Sequence, residues 1–262
     1  MIARERCGGS LITRDTIISA AHCFLRYGEG DILLMPEFVE VTLGEHNIAS
    51  ISPTKIEKIY RISNTNIEIH PLYNPDTLEN DIAKLYLDTP VNLAKNPKIL
   101  PICLPAKPYE DYSGRDAKAT GWGIMKRYTP AEVLQEINIQ IISLGECKER
   151  LSNFHKGRAH LHLPKENMLC AKGNRPKLGD IPRICRGTCL ISCNLKYAII
   201  ILGDSGGPLT VEQRLTADDF GPVRRELVGV VSAVGAFSCQ QDVPDKYTDV
   251  TKYLDWIRMP RN

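Results

Sequence analysis

The chain is predicted to be an all-β protein built as sandwiches or barrels. Three observations carry this. Eight short runs rich in Val, Ile, Leu and Thr recur along it, punctuated by Gly, Pro, Asn and Asp. Only two segments have helical character. Nine cysteines in 262 residues belong to an oxidising compartment, where disulfides staple loop-rich domains.

In chain order the strand candidates are "GSLI", "TIISAAH", "FVEVTLG", "IEKIYRI", "DIAKLYL", "AKATGWG", "VLQEINIQII" and "ELVGVVSAV". The first helical candidate is "SLGECKERL", with Ser143 as its cap. The second is "TKYLDWIRM", where Thr251 is the expected cap and Tyr253, Leu254 and Ile257 share one face. "PAKPYEDYSGRD" is the most polar and turn-rich stretch and is expected to join two halves, about 1–113 and about 114–262. There are no internal repeats or low-complexity tracts.

The net charge of +2 gives no electrostatic case for nucleic acid as a partner. No apolar window is long enough to span a bilayer, so no membrane partner is expected; the best, around Leu195 to Leu202, is short and holds Lys196. The N-terminal "MIARERCGGSLI" has no long apolar core and is not a secretory signal. An oxidising compartment without a signal is a contradiction that leaves two readings: either the compartment is not an oxidising one, or the true N-terminus lies upstream of this chain. Nine is odd, so at least one thiol lacks a partner within the chain.

The chemistry lies in three motifs. His22 sits in "SAAHC", Asp81 in "ENDIAKLYL" and Ser205 in "GDSGGP". A serine hydroxyl is a poor nucleophile until a base takes its proton. That base is usually a histidine held in one tautomer by a buried carboxylate. The developing oxyanion needs preorganised donors, and glycines around Ser205 let the backbone aim N–H groups at one spot, Gly203 and Ser205 being the expected donors.

At these residues the chain resembles the chymotrypsin-like (S1) serine proteases. "CGGSLI", "SAAHC", "NDIA", "ICLP", "ATGWG", "LCA", "GDSGGPL", "GVVS", "YTDV" and "YLDWI" occur in the family's order across nearly the whole chain. "VTLGEH", "IHPLYNP" and "VLQEINIQIIS" are most similar to arthropod extracellular trypsin-like proteases, including clip-domain ones.

The resemblance implies two six-stranded antiparallel β-barrels packed face to face, with a short C-terminal helix. His22 and Asp81 would lie on the first barrel and Ser205 on the second. Ser232 would hydrogen-bond Asp81. It implies disulfides Cys7–Cys23, Cys147–Cys170 and Cys185–Cys239. It leaves Cys103, in "PICLP", as the odd thiol, matching a cysteine that in related zymogens binds a separate light chain or clip domain. It implies an extracellular enzyme acting on protein or peptide substrates, in a proteolytic cascade or in digestion, with no cofactor and no metal.

Three departures from the family pattern follow. Family members free a new N-terminal residue, typically the Ile of "IVGG", whose ammonium pairs with the Asp before the nucleophile, here Asp204. No "IVGG" is present. The chain as written is therefore expected to be a weak or inactive fragment with a relaxed nucleophile loop, because breaking a buried ion pair costs about 3–5 kcal/mol.

The second departure lies just upstream of Ser205. The family has Cys-x-Gly-Asp-Ser; here Ile201 and Leu202 precede Gly203. Joining Gly187 directly to Asp204 gives "ICRGDSGGPL", the family pattern. Residues 188–203, "TCLISCNLKYAIIILG", then read as a retained short intron; the alternative is a genuine surface insertion stapled by Cys189 and Cys193.

The third concerns the specificity pocket. The residue six before the nucleophile is Ile199 in the literal chain and Arg183 with 188–203 removed. Neither is the Asp of a trypsin. "VPDKYT" places Asp245 on the pocket wall, and Ala233 and Val234 replace the usual aromatic–glycine pair. No preferred substrate residue follows.

Other candidates are set aside. "HLH" at His160 to His162 reads as a polar loop rather than a metal site. Glu45 and Asn47 resemble part of a calcium loop, but Lys55 stands where a second carboxylate belongs. The rival functional reading is a protease homologue without activity that acts as a binding or regulatory partner. The altered pocket and the missing "IVGG" favour it; an intact His22, Asp81 and Ser205 oppose it.

Overall fold

The computed structural model describes residues 6–27, 33–49, 58–123, 131–154, 163–173, 204–214, 222–233 and 243–261. Eight strands form the N-terminal half: β1 (Ser10–Leu11), β2 (Thr16–Ser19), β3 (Arg26–Tyr27), β4 (Leu33–Leu34), β5 (Phe38–Leu43), β6 (Lys58–Ser63), β7 (Ile67–Ile69) and β8 (Ala83–Tyr86). β1, β2, β8 and β7 make one antiparallel sheet in that order. β5 and β6 pair separately over Phe38–Leu43, and β3 pairs with β4.

Burial along β5 alternates with period two, so Val39, Val41 and Leu43 face inward. They pack on the same core as Leu11, Ile17, Ile62 and Leu85. The six longer-range strands of this half therefore share one core. Among the described residues their hydrogen bonding runs in a four-stranded sheet and a two-stranded ladder, joined by side-chain packing around that core, consistent with the first barrel the resemblance implies.

The C-terminal half closes fully. It holds β9 (Asp116–Gly121), β10 (Gln135–Ile142), α1 (Leu144–Phe154), β11 (Met168–Gly173), β12 (Pro208–Arg214), β13 (Val223–Ala233), β14 (Asp245–Asp249) and α2 (Leu254–Arg258). The six strands form a barrel in the order β10-β11-β14-β13-β12-β9, with β9 pairing back onto β10. Side chains fill the interior, as a barrel of this size requires. Ile137, Ile139 and Ile141 alternate inward along β10 and meet Leu209, Val228 and Tyr247.

β13 is buried along most of its length, which explains its continuous apolar run. Val228 and Val231 face the barrel interior, while Leu227 and Val230 belong to a second cluster. That cluster is the seam between the halves. It joins Ile18, Ala20 and Ile82 to Val250, Tyr253, Leu254 and Ile257.

The linking stretch 105–116 is anchored from below. Tyr112 is fully buried and its hydroxyl donates to Glu226 at 2.7 Å. Arg224 also pairs with Glu226. α1 starts as expected, with Ser143 Oγ accepting the Glu146 N–H at 3.2 Å. Its buried Cys147 is tied to β11 by the disulfide to Cys170.

The C-terminal cap differs from the sequence expectation. Asp249, not Thr251, caps the turn Val250–Lys252: its Oδ1 accepts the Thr251 N–H at 3.0 Å and the Thr251 hydroxyl at 2.7 Å. Both residues carry cap-competent oxygens, and a 3₁₀ turn precedes α2, so the cap falls two residues earlier. Tyr253, Leu254 and Ile257 share the buried face as expected.

Candidate active site

β2 runs into the seam and ends at Ser19; the chain then makes a 3₁₀ turn, Ala21–Cys23, that carries His22. The Cys7–Cys23 disulfide fixes the residue after it. Asp81 is presented differently. Asn80 adopts a left-handed backbone, φ 57°, and the Ile82 N–H donates to the Asn80 carbonyl at 2.8 Å. The chain thus folds tightly around Asp81 just before β8. Asn is among the few residues that take this conformation readily.

Asp81 is fully buried, and its side chain accepts three hydrogen bonds. The His22 backbone N–H donates to Oδ1 at 2.9 Å. His22 Nδ1 lies 2.7 Å from Oδ2, and the Ser232 hydroxyl donates to Oδ2 at 2.5 Å. Its backbone carbonyl accepts the Thr248 hydroxyl at 2.7 Å. A buried carboxylate persists only when satisfied in this way. An ionised carboxylate cannot donate, so the imidazole proton sits on Nδ1. Nε2 is left as the acceptor.

Ser205 is also fully buried. Its loop is clamped from both halves. The Gly8 N–H donates to the Ser205 carbonyl at 2.7 Å, and the Gly206 N–H donates to the Val231 carbonyl at 2.8 Å. Gly206 has φ 77°, and a Cβ there would lie 2.3 Å from Ser19 Oγ and 2.6 Å from the Gly8 carbonyl. Only glycine lets this loop lie against the end of β2, next to the His22 turn.

Asp204 turns away from the Ser205 side of the loop into a cradle of two glycines. The Gly123 N–H donates to its Oδ1 at 2.8 Å. A Cβ on Gly121 or on Gly123 would come within 1.9 Å of a carboxylate oxygen. Burial pushes the Asp204 carboxyl above its ordinary range, with the Gly123 hydrogen bond opposing in part. A raised folded-state pKa favours the protonated form in the fold. The resulting stability is fully present below the unfolded value, near 3.8, and is lost as pH rises through the folded one. Asp204→Asn removes this dependence. The melting temperature of the native chain minus that of the variant is therefore expected to increase as pH is lowered from 7 toward 4. A flat difference in paired melts would contradict it.

Ser232 and Ala233 end β13, where the ladder to β14 shifts register, and Ala233 pairs with Lys246. Asp245 opens β14 opposite Ala171. Both Asp245 and Asp204 act on the fully buried Tyr247. Its phenol is held well above its usual range, by burial first and by these two charges second. Arg183, Ile199, Gly203 and Val234 lie outside the described residues, as do Cys185, Cys239, His160 to His162 and Lys55. The Cys7–Cys23 and Cys147–Cys170 bridges are formed, and Cys103 is free and exposed. Glu45 bends onto its own loop, accepting from the N–H groups of His46 and Asn47.

Sequence reasoning missed Thr248 and the cradle glycines as parts of this site. Thr248 stands inside "YTDV", Gly121 and Gly123 inside "ATGWG". The motifs flagged the segments but not the contacts.

The family model described as Trypsin matches residues 1–187 and 195–257. The unmatched 188–194 fall within the suspected 188–203 insertion and are shorter than it. Among the curated relatives, the serine protease filzig of Drosophila melanogaster is 31% identical over 98% of this chain, which spans 13% of that protein. Brachyurin of Leptuca pugilator is 30% identical over 96% of this chain, which spans 86% of it. Clotting factor C of Tachypleus tridentatus is 29% identical over 97% of this chain, which spans 22% of it.

Proposed function

We propose that this chain, which belongs to the trypsin family of serine proteases and so is a serine endopeptidase by family, hydrolyses peptide bonds with Ser205, His22 and Asp81 as its triad. The observation that carries the assignment is the fully satisfied Asp81 carboxylate, which takes both the backbone and Nδ1 protons of His22.

Ser205 Oγ attacks the scissile carbonyl while His22 Nε2 takes its proton. The resulting imidazolium donates that proton to the leaving amine, which departs and leaves an acyl-enzyme. Asp81 orients the ring and stabilises its charged form. Water, deprotonated by His22, then attacks the acyl carbonyl, and His22 donates that proton to Ser205 Oγ as the acyl–oxygen bond breaks and the acid departs. Backbone N–H groups of Gly203 and Ser205 hold the oxyanion. Asp204, in its glycine cradle, is the acceptor for the α-ammonium that activating cleavage frees in this family. Ser232, Ala233 and Asp245 contribute to the substrate pocket, together with Val234 and with Arg183 or Ile199.

The disulfides and the arthropod relatives support an extracellular site of action, in a cascade or in digestion. No helix among the described residues is long and apolar enough to cross a membrane. Cys103, free and exposed, offers an attachment point for a light chain or clip domain. The two halves, about 1–113 and about 114–262, would each contribute one side of the catalytic cleft.

The test is hydrolysis of a panel of chromogenic peptide esters and amides. The chain as written is expected to react weakly. Carrying a processed activation segment whose freed ammonium pairs with Asp204, the form in which activity is assayed throughout, it is expected to give a burst of chromophore equal to the enzyme concentration with esters, and Ser205→Ala should abolish it. Residual ester turnover by Ser205→Ala at the native rate would refute the assignment.

A further inference from the structure

We infer that Asn80, Asn167 and Tyr253 form a positioning clamp through which the C-terminal half sets Asp81 against His22. The inference rests on the triad reading above.

The three side chains close a triangle. The Asn167 amide nitrogen donates to Asn80 Oδ1 at 3.0 Å and to the Tyr253 hydroxyl at 2.7 Å. The Tyr253 hydroxyl donates in turn to Asn80 Oδ1 at 2.9 Å. Asn80 Nδ2 donates to the Leu72 carbonyl at 2.7 Å. Asn80 Oδ1 accepts from both partners and the Tyr253 hydroxyl both accepts and donates, so each hydrogen bond constrains the next, while the buried Asn167 Oδ1 is left without a partner among the described residues.

The members come from three places. Asn80 precedes β8 in the N-terminal half. Asn167 precedes β11, and its carbonyl accepts the Asp249 N–H at 3.1 Å. Tyr253 sits in the seam, its ring edge-on to His70 at 5.2 Å between centroids. Thr248, also from the C-terminal half, holds the Asp81 carbonyl. Asp81 is thus gripped on both sides of its Cα by groups that belong to the half carrying Ser205 and Ser232.

Asn80 also has a left-handed backbone, as do Leu78 and Tyr109 among the described non-glycine residues. A rotation at Asn80 swings Asp81 directly. The halves also meet through the apolar seam and through directional hydrogen bonds such as Gly8 N–H to the Ser205 carbonyl and Ile48 N–H to the Glu132 carbonyl. The triangle adds direction at the residue immediately before Asp81. Misplacement of a reacting group by about 1 Å can lower a rate by about 10²-fold. The three side chains act through the backbone that carries Asp81, so they are positioning residues and not catalytic ones.

The experiment uses Tyr253→Phe and Asn80→Gly in the full chain. Asn80→Gly keeps the left-handed backbone accessible while removing the side chain, and serves even if Tyr253→Phe folds poorly. Two readouts are taken: the far-downfield proton resonance of His22 Nδ1–H, and kcat and KM on a peptide ester. Each variant is expected to broaden or move that resonance upfield and to lower kcat by about 10-fold, with KM changed less than about twofold. The double variant should be no worse than the poorer single one, because both break one triangle. Variants that melt earlier yet keep the native resonance and kcat would overturn the clamp and leave the triad standing. A native chain lacking both the resonance and ester turnover would overturn the triad, and the clamp with it.

Discussion

Asp81→Asn is expected to lower kcat on a peptide substrate by about 10⁴, with KM changed by less than about threefold. The reason is a proton count. Asp81 accepts the His22 N–H, the Nδ1 proton and the Ser232 hydroxyl, with no proton of its own to give. An Asn amide places an NH2 group at one of those positions. Facing Nδ1, it forces His22 to carry its proton on Nε2, which then cannot accept from Ser205. Facing the backbone N–H instead, it sets two donors together in a fully buried place. Steady-state kinetics on purified variant checks this. A loss in kcat below about tenfold would show that Asp81 does not govern the His22 tautomer.

The second large effect is expected at Gly123→Ala. The new methyl would lie 1.9 Å from Asp204 Oδ2 and 2.4 Å from its Cγ. That is backbone-fixed overlap with a short, buried side chain, so Asp204 must leave the cradle. It then loses the Gly123 N–H and drags the adjoining Ser205 peptide with it. Losing one oxyanion donor typically costs about 10² to 10³ in kcat, and a drop of that size is expected here. Gly145→Ala is the control. A Cβ at that position in α1 meets nothing within 4 Å, so activity should hold and stability should rise by up to about 1 kcal/mol. Equal activity of Gly123→Ala and Gly145→Ala would remove Asp204 from the account.

Much of this was legible in the sequence, for reasons that differ by element. β5 and β10 alternate, so their pattern reads as half-buried strand. α1 carries its own cap at Ser143. β14, "DKYTD", does not read as a strand because Lys246, Thr248 and Asp249 are polar and yet buried. Their burial serves the seam and the site, and a pattern of apolar residues cannot show that. β12 opens on Pro208, which argues against a strand until its pairing with β13 is seen.

The residues of the proposed triad were legible because they stand in dense motifs. Their support was not. Asn80, Thr248, Asn167 and Tyr253 are ordinary polar residues, separated along the chain by up to 173 positions, and only the fold brings them to the backbone around Asp81. The two disulfides of the described residues followed from the resemblance. The capping of the C-terminal turn did not, because two adjacent oxygens compete for it and the local helix type decides.

The central claim is that Ser205 is activated by His22. Its most direct measurement is peptide mapping by mass spectrometry after reaction with a fluorophosphonate. The account predicts one phosphonyl adduct per chain, on the peptide "DSGGPL" at Ser205, and its loss in His22→Ala. No adduct on the native chain, or an adduct that persists in His22→Ala at the native rate, would contradict it.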